Sequence, residues 1–284
     1  MSKKSKNPKK LAAQAAPREH SFSDLVRLPS EAVALAGLEA FLRDEINARA
    51  EAWDRAAWEA VALGAQARFG ADLAPLVSRA REPKVEALWM LKTDIFRRWS
   101  IASAHIAYLA GRLPLDAPTL AWAAMPISLG YTDDLALMRY LIAVGADPEA
   151  REDGASPLSY LVSREAPPAA YPRGVKLLLA ANVDPDPSDK FGQSPIWALC
   201  SFWSIEPGIA ELIRELRARG ASMTAIRSGK SALDKLREGN TDHPRPEPEE
   251  SKKSRRELLA ECEQDDLSFL PAGKPSARPD INDR

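Results

Sequence analysis

Chemically reactive side chains are scarce in this chain. Its 284 residues include three histidines and two cysteines. His20, His105 and His243 stand far apart, and no HExxH, CxxC or His/Cys cluster occurs. The spacings that bind zinc or arm a metallohydrolase are therefore missing. There is no GxSxG and no GxGxxG, which removes the nucleophile elbow and the dinucleotide loop. Cys200 and Cys262 cannot build a disulfide framework, so a reducing, cytoplasmic setting is expected. Charge of either sign is not in excess: 39 Lys and Arg face 40 Asp and Glu. That balance lacks the basic footprint of a nucleic-acid binder. No apolar run approaches the roughly 18 residues of a membrane span, so stable membrane insertion is not expected. The start, MSKKSKNPKKLAAQAAPREH, opens like a signal peptide, but LAAQAA is too short and too polar for its apolar part.

Apolar residues make up 45% and charged residues 28% of the chain, enough for a packed core. Residues 1–22 read as a disordered basic tail. From Leu28 the composition becomes Ala-, Glu- and Arg-rich, which favours long helices. Pro29-Ser30-Glu31 is a helix start with Ser30 as its cap, Val33, Leu38, Phe41, Leu42 and Ile46 recur at helical spacing, and Gly70 is a stop. A second apolar helical stretch runs over 85–109 with Trp89, Ile95, Phe96 and Trp99. Residues 28–112 thus read as an N-terminal helical block, with Trp53, Trp58, Trp89 and Trp99 in its core. From about Gly239 the chain turns Pro-rich and charged, so 239–284 reads as a mostly disordered tail with a short helix near Leu258, Leu259 and Leu267.

Between these ends the chain repeats itself. Leu120, Leu158, Ile196 and Leu233 open equivalent helices at intervals of 38, 38 and 37 residues. Gly145, Asn182 and Gly220 close equivalent helices at intervals of 37 and 38. Two landmarks keeping one period mark a repeat architecture. Each unit has a short helix (SPLSYLV, SPIWALC), a turn, a second helix (LMRYLIAV, GVKLLLAA) and a polar loop (GADPEAREDGA, NVDPDPSDKFGQ). Serine before the first helix caps free N–H groups, proline at its first position loses no hydrogen bond, and Gly or Asn supplies a left-handed cap after the second.

These phrases resemble the ankyrin repeat. Ser156-Pro157-Leu158 and Ser194-Pro195-Ile196 match its opening, Val175-Lys176-Leu177-Leu178-Leu179 its second helix, and Gly145-Ala146-Asp147 its close. The match covers residues 115–238. The period exceeds the family's roughly 33 residues, and the extra residues fall in the turns ISLGYTDD, SREAPPAAYPRG and SFWSIEPG. The last unit, GKSALDKLREG, reads as a C-terminal cap. Gly70-Ala71-Asp72 lies 75 residues before Gly145, two periods, which raises the reading of a decayed repeat in the N-terminal block. The expected fold class is all-α: an ankyrin-like helical solenoid preceded by a helical block, with disordered termini.

The resemblance implies a protein-binding surface made of loop fingers and a palm of first helices. The first finger carries Asp147, Glu149, Arg151, Glu152 and Asp153, and the second Asp184, Asp186, Asp189 and Lys190. Both are net acidic and would steer a basic partner; the third is basic through Arg227 and Lys230. Trp122 and Tyr160 share one repeat position, Trp197 is one residue off it, and Phe202 and Trp203 lie in an enlarged turn. Aromatics so placed are hot-spot material. The partner-binding candidates are therefore Trp122, Tyr160, Trp197, Phe202, Trp203, Asp147, Glu149, Asp153, Asp184, Asp186 and Asp189.

Elsewhere the readings are structural. His105 lies within an apolar helix and belongs to a core or interface. Asp133-Asp134 caps a helix. Gly229-Lys230-Ser231 mimics the end of a phosphate-binding loop, but its required first glycine is Thr224. Cys200 is a buried hydrophobe. The function expected is a non-enzymatic scaffold binding another protein, without cofactor or metal. Its Ala- and Arg-rich composition suggests a bacterial source, where toxin-neutralising immunity proteins and host-directed effectors are alternatives. An enzyme site in the N-terminal block and a membrane-peripheral adaptor using the basic tail are the other readings.

Overall fold

The computed structural model describes residues 28–49, 55–81, 100–129, 131–132, 134–162, 171–202, 204–226, 229–239 and 246–268. The expected disordered N-terminus, the helical stretch 85–99, and Trp53, Trp89, Trp99, Asp133, Trp203 and Arg227 lie outside them. Eleven α-helices and no strand are found among the described residues, so the fold is all-α.

Helices α1 (Pro29–Ala48) and α2 (Arg55–Ala80) form an antiparallel pair. The pair is close because each helix offers a glycine to an aromatic ring of the other. A Cβ on Gly37 would lie 3.2 Å from the Phe69 ring, and one on Gly64 would lie 3.3 Å from the Phe41 ring. Proline at the first turn starts α1, and Glu31 rather than Ser30 completes the cap, accepting the Leu28 N–H at 3.1 Å. Glu31 is buried and also pairs with Arg79 at 2.7 Å.

Gly70 does not end α2. Trp58, Val61, Ala65, Phe69, Leu73, Leu76 and Ala80 keep one buried stripe through it, and that stripe holds the helix together across the glycine. The decayed-repeat reading of Gly70-Ala71-Asp72 fails for the same reason, since all three residues are helical. Ser100 caps α3 (Ile101–Leu109), which packs on both α1 and α2.

The repeated segments are α4 (Thr119–Ser128) with α5 (Ala136–Ala143), α6 (Pro157–Leu161) with α7 (Tyr171–Ala180), α8 (Pro195–Cys200) with α9 (Pro207–Ala218), and α10 (Ala232–Glu238). Gly145, Asn182 and Gly220 all have positive φ, at 92°, 61° and 102°. At both glycines the next residue donates back across the helix end, Ala146 to Leu141 at 2.9 Å and Ala221 to Leu216 at 3.0 Å. This is the left-handed cap the spacing predicts. Ser156 caps α6 and Ser231 caps α10, each accepting an N–H three residues on. Ser194 makes no side-chain cap to α8. Asp134 accepts the Ala136 N–H at 2.9 Å and so caps α5.

First helices pack together in two pairs, α4 with α6 and α8 with α10, while α7 packs on α9. Leu141, Leu178, Leu212, Ile213 and Leu216 are fully buried. Gly174 lets α7 approach α6, since a Cβ there would lie 3.1 Å from Leu161.

The helix expected near Leu258, Leu259 and Leu267 is present and longer than the sequence pattern suggests: α11 (Glu249–Ser268) has 20 residues and packs on α9 and α10. Its apolar content is low, and polar contacts do much of the holding. Arg255 is buried. It donates to the carbonyl of Phe202 at 3.0 Å and to that of Leu236 at 3.4 Å, and it pairs with Glu247 at 3.0 Å. The Ile205 N–H donates to Ser251 Oγ at 2.6 Å. Arg214 meets Glu261 with two donors, at 2.9 and 2.8 Å. Leu258 and Cys262 fill the space beneath.

Leu178→Ala should cost about 2–5 kcal/mol in urea denaturation, because a fully enclosed side chain leaves a cavity. Arg255→Ala leaves Glu247 and two carbonyls without their buried cation and should cost about 3 kcal/mol in the same assay. A midpoint equal to wild type for either variant would contradict the packing described.

Candidate interaction groove

Each finger is a tight turn fixed by its own aspartates. Asp153 and Gly154 both have positive φ, 52° and 84°, and Glu152 and Ala155 exchange two backbone hydrogen bonds around them. This is the geometry of a two-residue hairpin loop. Asp147 accepts the Glu149 N–H and Asp184 the Asp186 N–H, at 2.8 and 2.9 Å. Asp189 accepts the N–H groups of Phe191 and Gln193, both at 2.8 Å.

Carboxylates also join one finger to the next. Glu149 accepts the Asp184 N–H, and Asp186 accepts the Ser222 N–H at 3.3 Å. Arg151 donates to the Ser188 carbonyl at 2.6 Å. Of the acidic candidates, Asp147, Glu149, Asp184, Asp186 and Asp189 thus hold backbone, and Asp153 occupies the exposed hairpin tip. Lys230, expected to make the third finger basic, pairs with Glu238 at 2.7 Å.

Three of the aromatic candidates are buried: Trp122 and Phe202 are each 3% exposed and Trp197 is 9% exposed, and all three belong to the core. Trp197 and Phe202 also line the opening described below. Tyr160 is half-buried, and its hydroxyl donates to the Glu152 carbonyl at 3.3 Å. Burial, helped by the charge of Asp153, raises its pKa. Trp197 donates its indole N–H to the Lys230 carbonyl at 3.1 Å, and the Lys235 ammonium lies 5.0 Å from its ring centre. In both Tyr160 and Trp197 the polar tip ties a first helix to finger backbone while the ring stays apolar.

A groove opens between α6 and α8, with a volume of ≈ 370 Å³. Its walls are Val162 and Ser159 on one side and Trp197, Ala198 and Phe202 on the other, and Asp189 and Phe191 close one end. Phe191 is 67% exposed, an unusual position for a phenylalanine, and Ile226 on the next finger is 69% exposed. The sequence reading missed Phe191. Its place four residues before Pro195, at the tip of a polar loop, was the available signal. Trp197, Phe202 and Asp189 are the sequence-predicted residues that the structure brings together here.

A second cavity of ≈ 470 Å³ lies between α2, α3 and the end of α5, lined by Trp58, His105, Tyr108, Leu109 and Val144 among others. His105 is buried as expected of a core histidine. Its Nδ1 lies 3.4 Å from the Tyr140 hydroxyl, and the Trp58 ring meets it edge-on at 5.5 Å. Burial pushes its pKa down to about 4. Burial likewise raises the Cys200 thiol, as suits a small core side chain. Among the described residues, no group of three or more His, Cys, Asp or Glu side chains is placed to hold a metal ion, and no helix is long and apolar enough to cross a membrane. No protein-family model matches the chain, and no curated protein matches it either.

The histidine gives a pH test. Its folded pKa of about 4 lies below the ordinary 6.5. The unfolded chain therefore binds the extra proton first as pH falls. The stability from neutral His105 is intact above pH 6.5 and is lost progressively toward pH 4. Wild type should lose about 2–3 kcal/mol more than His105→Gln between pH 7 and pH 4.5 in urea denaturation. Parallel losses in the two proteins would show that His105 does not carry this dependence.

Proposed function

We propose that the chain is a non-enzymatic scaffold, an ankyrin-like solenoid of bacterial origin that binds another protein through its fingers and first helices. The groove between α6 and α8 carries the reading. A lining that mixes Val162, Trp197 and Phe202 with Ser159, Asp189, Gln193 and Ser201, beside the exposed ring of Phe191, suits a partner side chain with an apolar body and a polar tip. The groove lies where the repeat pattern puts the palm, and Trp197, Phe202 and Asp189 all border it. The acidic fingers beside it favour a partner with a basic patch, through faster encounter more than through affinity. The aspartates bring rigidity as well: their bonds to finger backbone lower the ordering cost of binding.

Ala198 is half-buried on the groove wall, so Ala198→Arg fills the groove from a helix surface. Full-length wild type and this variant, matched by thermal melt, should be used as bait in native lysate. The expected result is a protein captured by wild type and reduced at least about tenfold in the variant, a loss of about 1.4 kcal/mol or more. Equal capture by both baits would remove the groove from the binding surface.

A further inference from the structure

We propose that residues 3–16 of this same chain, KKSKNPKKLAAQAA, dock in the groove between α6 and α8, so that the protein occupies its own binding surface until a partner displaces the segment. The proposal rests on the reading of this groove as a binding surface and adds its regulation.

Three observations support a segment in cis. The first is charge. The first finger has four acids against Arg151, and the second has three acids against Lys190. They are neighbours, because a Cβ on Gly154 would lie 3.0 Å from Lys190 Cβ. Lys3, Lys4, Lys6, Lys9 and Lys10 concentrate the opposite sign within eight positions. Asp189 stands at the groove itself and Asp153 at the exposed tip beside it. The second is shape. Leu11 follows the lysines directly and is followed by small side chains. One leucine followed by two alanines can enter a narrow groove bordered by Val162, Trp197 and Ala198, whereas a bulky run cannot. The third is reach. The described chain starts at Leu28, 18 residues after Lys10. That length spans up to about 60 Å when extended, longer than α2. Tethering at this distance gives an effective concentration on the order of millimolar, so weak intrinsic contacts suffice for occupancy.

Leu11 replaced by a diazirine photo-crosslinker of about leucine's size in the full chain provides the test. At about 50 mM salt, irradiation should join position 11 to the stretch 189–202 within one molecule, as read by mass spectrometry. The yield should fall at least about fivefold at about 0.5 M salt, as exposed charge pairs are screened. It should fall similarly when the five lysines are changed to glutamate. Asp153→Asn, which tolerates the left-handed backbone there, should reduce it partially, and Ala198→Arg should abolish it. Cross-links elsewhere on the chain overturn the proposal. Cross-linked dimers whose yield rises with concentration overturn it too, and assign the groove to a second copy. The partner capture separates this idea from the one beneath it. Capture that depends on Ala198 without the cross-link leaves the groove reading standing and removes self-docking. A cross-link at 189–202 with capture indifferent to Ala198→Arg does the reverse.

Discussion

A helix of five or six residues has no stability of its own in water, because nucleation costs more than so few hydrogen bonds return. Two of the repeated first helices, α6 and α8, are this short. They exist because longer second helices and the neighbouring first helices cover them; at α6 the Ser156 cap adds to this, whereas Ser194 makes no side-chain cap to α8. Leu158, Leu161, Ile196 and Leu199 are fully buried within these short pieces. Every other feature of the repeats follows from that dependence. The leucines of each second helix must face inward, the left-handed caps must turn the chain back, and the fingers must be rigid enough to deliver the next serine and proline on register.

Both ends of the repeated region are closed by elements outside it, and both closures use arginine. Arg43 of α1 pairs with Asp134, the residue that caps α5. Arg255 of α11 reaches the carbonyls of Phe202 and Leu236. Phe202 and Ile205 lie in the enlarged turn between α8 and α9, so the extra residues of that turn supply the groups α11 binds. A planar guanidinium with several donors suits this task, since it can satisfy two carbonyls and a carboxylate at once. The burial of two apolar side chains beneath, Leu258 and Cys262, completes the docking of a helix that is otherwise charged.

The acidic fingers show how one residue type serves two ends. Asp147, Asp184 and Asp189 accept backbone N–H groups of their own turns, and Glu149 and Asp186 accept those of the next finger. The same carboxylates leave a field of one sign along the finger edge. Rigidity and the acidic field thus come from a single set of side chains, and a substitution there changes both.

Much of this was legible in the sequence, and the division has a physical basis. The period, the helix starts at Pro157 and Pro195, and the left-handed residues Gly145, Asn182 and Gly220 depend on local backbone preference, which the chain carries residue by residue. His105 as a core group followed from its apolar neighbours. Gly70 was misleading because helix propensity is a weak local signal, overruled by α1 packing along the whole of α2. Trp122 and Trp197 look alike in sequence and both are buried, yet Trp197 also borders a groove, since the neighbouring helices decide how completely each ring is covered. The docking of α11 was not readable because its partners, Phe202, Ile205 and Leu236, are between 15 and 60 positions away and offer mostly backbone groups, which no side-chain pattern records. The sequence by itself determined where the chain turns and what repeats. Only the tertiary structure decided which aromatics face an opening and how the last helix is held, because both depend on groups brought together from distant parts of the chain.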